Sequence, residues 1–143
     1  MNMVRKAIAL VVCAVGLGSA VQTASAFPSP SNGRRIVVSL KEQRLYFYRD
    51  GRVVFTTRLS TGRKSMPTPQ GKFYVSDKHA RHQSSIYHCP MPFFMRLSGA
   101  AFGIHYGVNP GYPASHGCIR VGSMRDAAYL FQLTPEGTPV AIE

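Results

Sequence analysis

Beyond residue 26 the chain has no apolar run long enough to cross a bilayer, which excludes a membrane-spanning product. It has no internal repeat and no low-complexity domain, which excludes solenoids and tail-like architectures. Neither a Cys-x-x-Cys nor a His-x-x-x-His pair occurs, so the usual spacing of a structural zinc site is missing. No Lys/Arg block with interleaved aromatics appears, and nucleic-acid binding has no footprint here. Carboxylates are few: 6 acidic residues stand against 17 basic ones in 143, a net charge of +11. Cysteines number only three, at 13, 89 and 118.

What is present begins with an export signal. Arg5 and Lys6 supply a positive start, Ala7 to Val15 an apolar run, and Ala24-Ser25-Ala26 a small-residue cleavage site. Residues 1–26 therefore read as a secretory signal peptide. A lipoprotein reading through Cys13 lacks the small residue expected before such a cysteine. Cleavage after Ala26 leaves 117 residues, enough for one small hydrophobic core. It leaves 15 basic and 6 acidic residues, a net +9 spread along the chain. Outside the cytoplasm that charge suits an anionic polymer, or else is a solvated surface with no dedicated partner.

Residues 27–34 read as a flexible leader, rich in Pro and Ser. The single domain then runs from 35 to 143. Ile36, Val38 and Leu40 alternate, as do Leu45 and Phe47, and then Val53, Phe55, Thr57 and Leu59. Asp50-Gly51 between two such runs signals a hairpin, because both positions must tolerate positive φ. Pro67-Thr68-Pro69-Gln70-Gly71 makes a rigid loop. Phe73 to Ser76, Met91 to Leu97, Ala101 to His105 and Thr138 to Ile142 read as strands. Residues 77–91 form a long excursion, and Gly107 to Ser115 a Gly/Pro-rich loop. Ser123 with Asp126 three residues on is a helix start, followed by Met124, Ala127, Ala128 and Phe131 at helical spacing. The fold class is mainly β, a two-sheet sandwich or barrel-like domain with one short helix near its C-terminal end.

Chemistry concentrates in Gly103-Ile104-His105-Tyr106 and Ser115-His116-Gly117-Cys118-Ile119-Arg120. A cysteine in an exported chain either pairs, oxidises or has work to do. A free thiol is ionised only to a few per cent at neutral pH, so a cysteine nucleophile needs a base. His116, two residues away, is poorly placed to receive the proton in line. His105, on a separate strand, is assigned as the base and Cys118 as the nucleophile. The amides of His116, Gly117 and Cys118 are candidates for an oxyanion hole. Other readings of the same residues stay open. Cys118 can be an ordinary buried thiol. His105, His116 and Cys118, with His88 or Cys89, can be zinc ligands. Cys89 can pair with Cys118 in a disulfide. His79 and His82 read as surface loop residues.

These strings resemble the signature of the L,D-transpeptidase catalytic domain family, the YkuD type. Thr68-Pro69-Gln70-Gly71-Lys72-Phe73 resembles the family's Thr-Pro-x-Gly-x-Phe loop. Met91 to Arg96, Asp126 to Leu130 and Gly137 to Val140 resemble its later strands and helix. The likeness covers residues 35 to 142. It implies a two-sheet β core with the cysteine in a cleft under a loop, and no cofactor or metal. It implies a peptidoglycan L,D-transpeptidase in the periplasm or cell envelope, acting as a monomer. In that reaction the thiolate attacks the L-centre carbonyl of a tetrapeptide stem, releases D-Ala, and passes the acyl group from a thioester to an amine. The amine belongs to another stem, to a protein lysine or to a D-amino acid. The same site with water as acceptor is an L,D-carboxypeptidase, and a catalytically silent wall-binding module is a further alternative. The resemblance makes peptidoglycan stem peptides the partners, with a wall-anchored protein as a further acceptor and carbapenem-type inhibitors expected to acylate Cys118. It gives Ser115 a loop-orienting role and Arg120 a substrate-carboxylate contact or a support for the site. Tyr106 stands where many members have a small residue, and so bears on the cleft and on what orients His105.

Overall fold

The computed structural model describes residues 33–143. The export signal and nearly all of the leader expected at 27–34 lie outside that range. Eight strands and one helix follow in order: β1 (Arg34–Ser39), β2 (Arg44–Arg49), β3 (Arg52–Ser60), β4 (Gly71–His79), β5 (Phe94–Leu97), β6 (Gly103–Tyr106), β7 (Ile119–Val121), α1 (Met124–Leu133) and β8 (Pro139–Ile142). The strands close into a barrel in the order β1-β2-β3-β7-β6-β5-β4-β8. Closure removes the unpaired edges that an open sheet of this size exposes. Among the described residues no helix is long and apolar enough to cross a membrane.

The meander β1–β2–β3 follows from alternation and one turn. Ile36, Val38, Leu45 and Phe47 point inward and are fully buried. Asp50 and Gly51 have φ of 49° and 78°, the left-handed pair that a tight hairpin requires. A register shift at Phe47/Tyr48 then turns the start of β3 outward. Val53 is accordingly 48% exposed, although its alternation with Thr57 and Leu59 predicts a shared inner face.

β4 is longer than the sequence suggests. It runs on to His79 past a register shift at Val75/Asp77 and pairs with β5. Asp77 joins the pairing through Arg96, at 3.0 Å, and His79, at 2.9 Å. Local polarity hid this segment, because its partners, Phe94 to Leu97, lie in a later strand. β5 is correspondingly shorter than Met91 to Leu97, since Phe93 takes φ of 57° and breaks the strand.

The helix starts where expected: Ser123 Oγ accepts the Asp126 N–H at 3.2 Å. It is docked at both ends. Thr57 Oγ1 donates to Asp126 at 2.7 Å, and Lys78 Nζ donates to the Phe131 carbonyl at 2.5 Å. Ala127 and Leu130 are its buried residues, whereas Met124 is half exposed. The inward stripe is therefore displaced from the expected Met124–Ala127–Ala128–Phe131 set. The barrel core joins Leu59, Leu97, Ile104, Ile119 and Val121 to the meander residues.

Candidate active site

The barrel order sets β6 beside β7 in parallel, pairing Ile104 with Ile119 and His105 with Arg120. Cys118, immediately before β7, comes alongside Gly103, whose backbone hydrogen-bonds the thiol. Gly103 and His105 share a face, so His105 is the diagonal neighbour of Cys118 across two strands. Diagonal neighbours on adjacent strands lie within reach of long or aromatic side chains. A β6–β7 pairing between distant segments thus brings together the two groups that the sequence nominates.

His105 is buried, and its Nδ1 lies 2.6 Å from the Tyr106 carbonyl. A carbonyl only accepts, so Nδ1 carries the hydrogen and Nε2 keeps the lone pair. Tyr106 therefore orients the His105 imidazole through its backbone, while its ring packs against the core. Burial is the main cause that lowers the His105 pKa from 6.5 to about 4. The Tyr106 bond opposes the shift, and the charges of Arg120 and His82 add to it. Burial also raises the Cys118 thiol above its ordinary value, against the opposing pull of the Gly103 backbone, Arg120 and Arg96. Both shifts favour the neutral thiol and the neutral imidazole over the ion pair.

Aromatic rings pack around His105. Phe94 lies 6.3 Å from His105, and His82 stacks on Phe94 at 4.3 Å. Tyr87, from the 80–93 excursion, lies 4.5 Å from His116. His82 is thus part of an aromatic stack beneath the site, not a solvated loop residue. Tyr87 escaped the sequence reading because nothing in its local pattern marks it, whereas Gly103 and Phe94 lie within strings that the sequence singles out, without the roles that packing gives them. Gly103 is required by close approach: a Cβ there would fall 2.3 Å from the Met95 carbonyl oxygen and 2.8 Å from the Phe94 ring.

The turn before Cys118 is tied by Ser115. Its hydroxyl donates to the Cys118 carbonyl at 2.5 Å and accepts the Gly117 N–H at 3.1 Å. Gly117 sits at φ of 115°, open to glycine, with nothing within 4 Å of where a Cβ would stand. Its amide is engaged by Ser115, so of the three amides expected for an oxyanion hole that of Gly117 already has a partner. The turn is anchored to the 61–70 loop, where the Thr61 carbonyl accepts the N–H of both Ala114 and Ser115 at 3.0 Å. Thr68 reaches across to the Gly117 carbonyl at 2.8 Å.

Arg120 runs beneath Gly107 beside the His105 ring, and its charge acts on both His105 and Cys118. No carboxylate pairs with it among the described residues. Cys89 and Cys118 are both free thiols, and Cys89 is exposed, not buried. Among the described residues no three of His, Cys, Asp and Glu converge to hold a metal ion. His105 Nδ1 is already engaged. A cleft of about 610 Å³ lies off the site between β3 and the 109–111 loop. Arg44, Arg58, Asn109 and Ser123 are among its walls, and neither Cys118 nor His105 reaches it.

Comparison with known proteins gives the same reading of the fold. The family model of the L,D-transpeptidase catalytic domain, YkuD, matches residues 33–142. A curated relative from Bacillus subtilis strain 168, "Putative L,D-transpeptidase YkuD", is 31% identical over 110 residues. The match covers 75% of this chain and 64% of that protein. The L,D-transpeptidase structure from Xylanimonas cellulosilytica is 30% identical with a TM-score of 0.71, over 82% of this chain and 63% of that one. LdtMt1, solved in complex with imipenem, is 26% identical with a TM-score of 0.71, over 78% of this chain and 59% of that one. The chain thus spans just under two thirds of the length of these relatives.

Proposed function

The chain belongs to the YkuD family of L,D-transpeptidase catalytic domains, and from that premise we propose that it is a peptidoglycan L,D-transpeptidase with Cys118 as nucleophile and His105 as base. One observation carries the proposal. The His105 ring is held by the Tyr106 carbonyl so that Nε2 is an unprotonated acceptor on the strand neighbouring Cys118.

The thiol proton passes to Nε2 as sulfur bonds to the L-centre carbonyl carbon of a tetrapeptide stem. Negative charge then gathers on the carbonyl oxygen, where the His116 and Cys118 amides receive it. Preorganised donors of this kind are each worth ~10²–10³ in turnover. Collapse breaks the bond to the terminal D-Ala nitrogen, which takes the proton from Nε2, leaving a thioester on Cys118. An acceptor amine gives its proton to Nε2, attacks the thioester, and restores the thiol. Arg120, without a carboxylate partner among the described residues, suits a stem carboxylate as a charge-assisted contact. Export through residues 1–26 would place the enzyme in the periplasm or cell envelope, where its substrate is. The complex of LdtMt1 with imipenem supports the expectation that a carbapenem acylates Cys118.

The test uses purified protein and tetrapeptide muropeptides. Cys118→Ala abolishes transfer, and His105→Ala slows it by ~10²–10⁴-fold. Imipenem adds its mass to the wild type and not to Cys118→Ala. Full transfer by either variant would end the proposal.

A further inference from the structure

The peptide units around the nucleophile are aimed by a different segment of chain. The Ser115 carbonyl accepts the Arg63 N–H at 3.0 Å, and the Gly117 carbonyl accepts the Thr68 hydroxyl at 2.8 Å. Arg63 and Thr68 both belong to the 61–70 loop. A trans peptide points its C=O and its N–H in opposite directions. The N–H groups of those same two peptides are those of His116 and Cys118, so both are turned away from the 61–70 loop. The peptide between them is held separately, with the Gly117 N–H on Ser115 Oγ. The outcome is two amides directed away from the 61–70 loop, with the engaged Gly117 amide between them.

We infer that Thr68 is a positioning residue for acyl transfer: its hydroxyl holds the Gly117–Cys118 peptide so that the Cys118 N–H faces the oxygen of the carbonyl under attack. The inference rests on the reading of Cys118 as an acyl-accepting nucleophile. Thr68 is 3% exposed, and its hydroxyl is used twice, donating to Gly117 and accepting the Gly62 N–H at 2.8 Å. Water does not compete for either bond. Pro67 and Pro69 flank it and fix their own φ, which stiffens the loop that carries it. Removing the hydroxyl frees the peptide to turn and the Cys118 N–H to lose its aim. The thiol keeps its surroundings, because Gly103, Arg120 and the β6–β7 pairing provide them. Thr68 therefore matters where negative charge develops on oxygen. It does not matter to alkylation of the same sulfur, which makes no oxyanion.

The experiment compares imipenem acylation with iodoacetamide alkylation, both read at Cys118 by peptide mass, in the wild type, Thr68→Val, Thr68→Ala and Thr68→Ser. The Val and Ala variants lower the acylation-to-alkylation ratio by ~10–100-fold, a part of what losing an oxyanion donor outright costs. The Ser variant, which keeps the hydroxyl, restores the ratio to within about threefold. Thr68→Ala serves if Thr68→Val does not fold. An unchanged ratio in a folded Val or Ala variant overturns the inference. Loss of fold in both, with Thr68→Ser folded, also overturns it, because the hydroxyl is then a structural element only. A wild-type protein that alkylates but is never acylated overturns the reading of the active site itself, and this inference with it.

Discussion

His105 is buried and Cys118 partly so, and that burial pushes their pKa values apart, down for the imidazole and up for the thiol. The pH dependence follows from that separation. Between the two values the pair exchanges one proton internally, and the fraction in the reactive form does not change with pH. Transfer should be level from ~pH 5 to ~pH 8 and fall by half near His105's value of about 4, not at 6.5. A kcat/KM profile with an acid limb at 6.5 would contradict this. Stability has the same origin. The unfolded chain takes up the histidine proton near 6.5 and the folded one only near 4, so between those values the unfolded state binds more protons. The contribution is complete above 6.5 and lost as pH falls towards 4, about 3 kcal/mol in all. Urea unfolding of the wild type and His105→Gln at pH 7 and pH 4 reads it as the extra loss in the wild type.

Elements meet at two glycines, and the two fail differently. β6 lies so close to β5 that Gly103→Ala drives its Cβ into the Met95 carbonyl and the Phe94 ring. Backbone cannot yield cheaply, so ~3 kcal/mol or more of stability should go, with β6 displaced along with His105. Gly117→Ala meets open space but must hold φ of 115°. That costs ~1–3 kcal/mol of strain. The variant should fold and give a sharp melting transition, while its rate of acylation by imipenem drops at least tenfold. Equal unfolding temperatures for the two variants would refute the distinction. The helix is a separate unit, tied by Thr57 to Asp126 and capped by Ser123. Ser123→Ala should cost ~1 kcal/mol in urea unfolding and leave turnover unchanged.

At the scale of the molecule, charge is the dominant feature. Asp77 pairs with His79 and Arg96, and with 17 basic residues against 6 acidic ones most of the positive charge has no carboxylate to offset it. Such a field concentrates polyanions at the surface and weakens as salt shortens its reach from about 10 Å at 0.1 M to about 3 Å at 1 M. Binding to isolated cell walls should therefore decline steeply with salt in a sedimentation assay. Retention that ignores salt would assign it to a specific contact. Barrel closure bears on the site as well. It joins β7, late in the chain, to β3 at Leu59–Val121 and Ser60–Arg120, and so brings the Cys118 turn against the 61–70 loop.

Much of this was legible in the residues. Alternation gives the meander, Asp50-Gly51 its turn, Ser123 and Asp126 the helix start, and the Ser115–Arg120 string with His105 the chemistry and the family. Those signals are local, or survive as a short string, because they reflect backbone preference and reaction demand. Tertiary contacts decided the rest. That Tyr106 serves His105 through its carbonyl, that the Gly117 amide turns to Ser115, and that Thr68 holds the neighbouring carbonyl each depend on where a polar group points once strands distant in sequence have paired. The extension of β4 to His79 and the stack beneath His105 are likewise set by partners that no local pattern identifies. A hydrogen bond has direction and its partner is far along the chain, so side-chain type names the group but only packing chooses the bond.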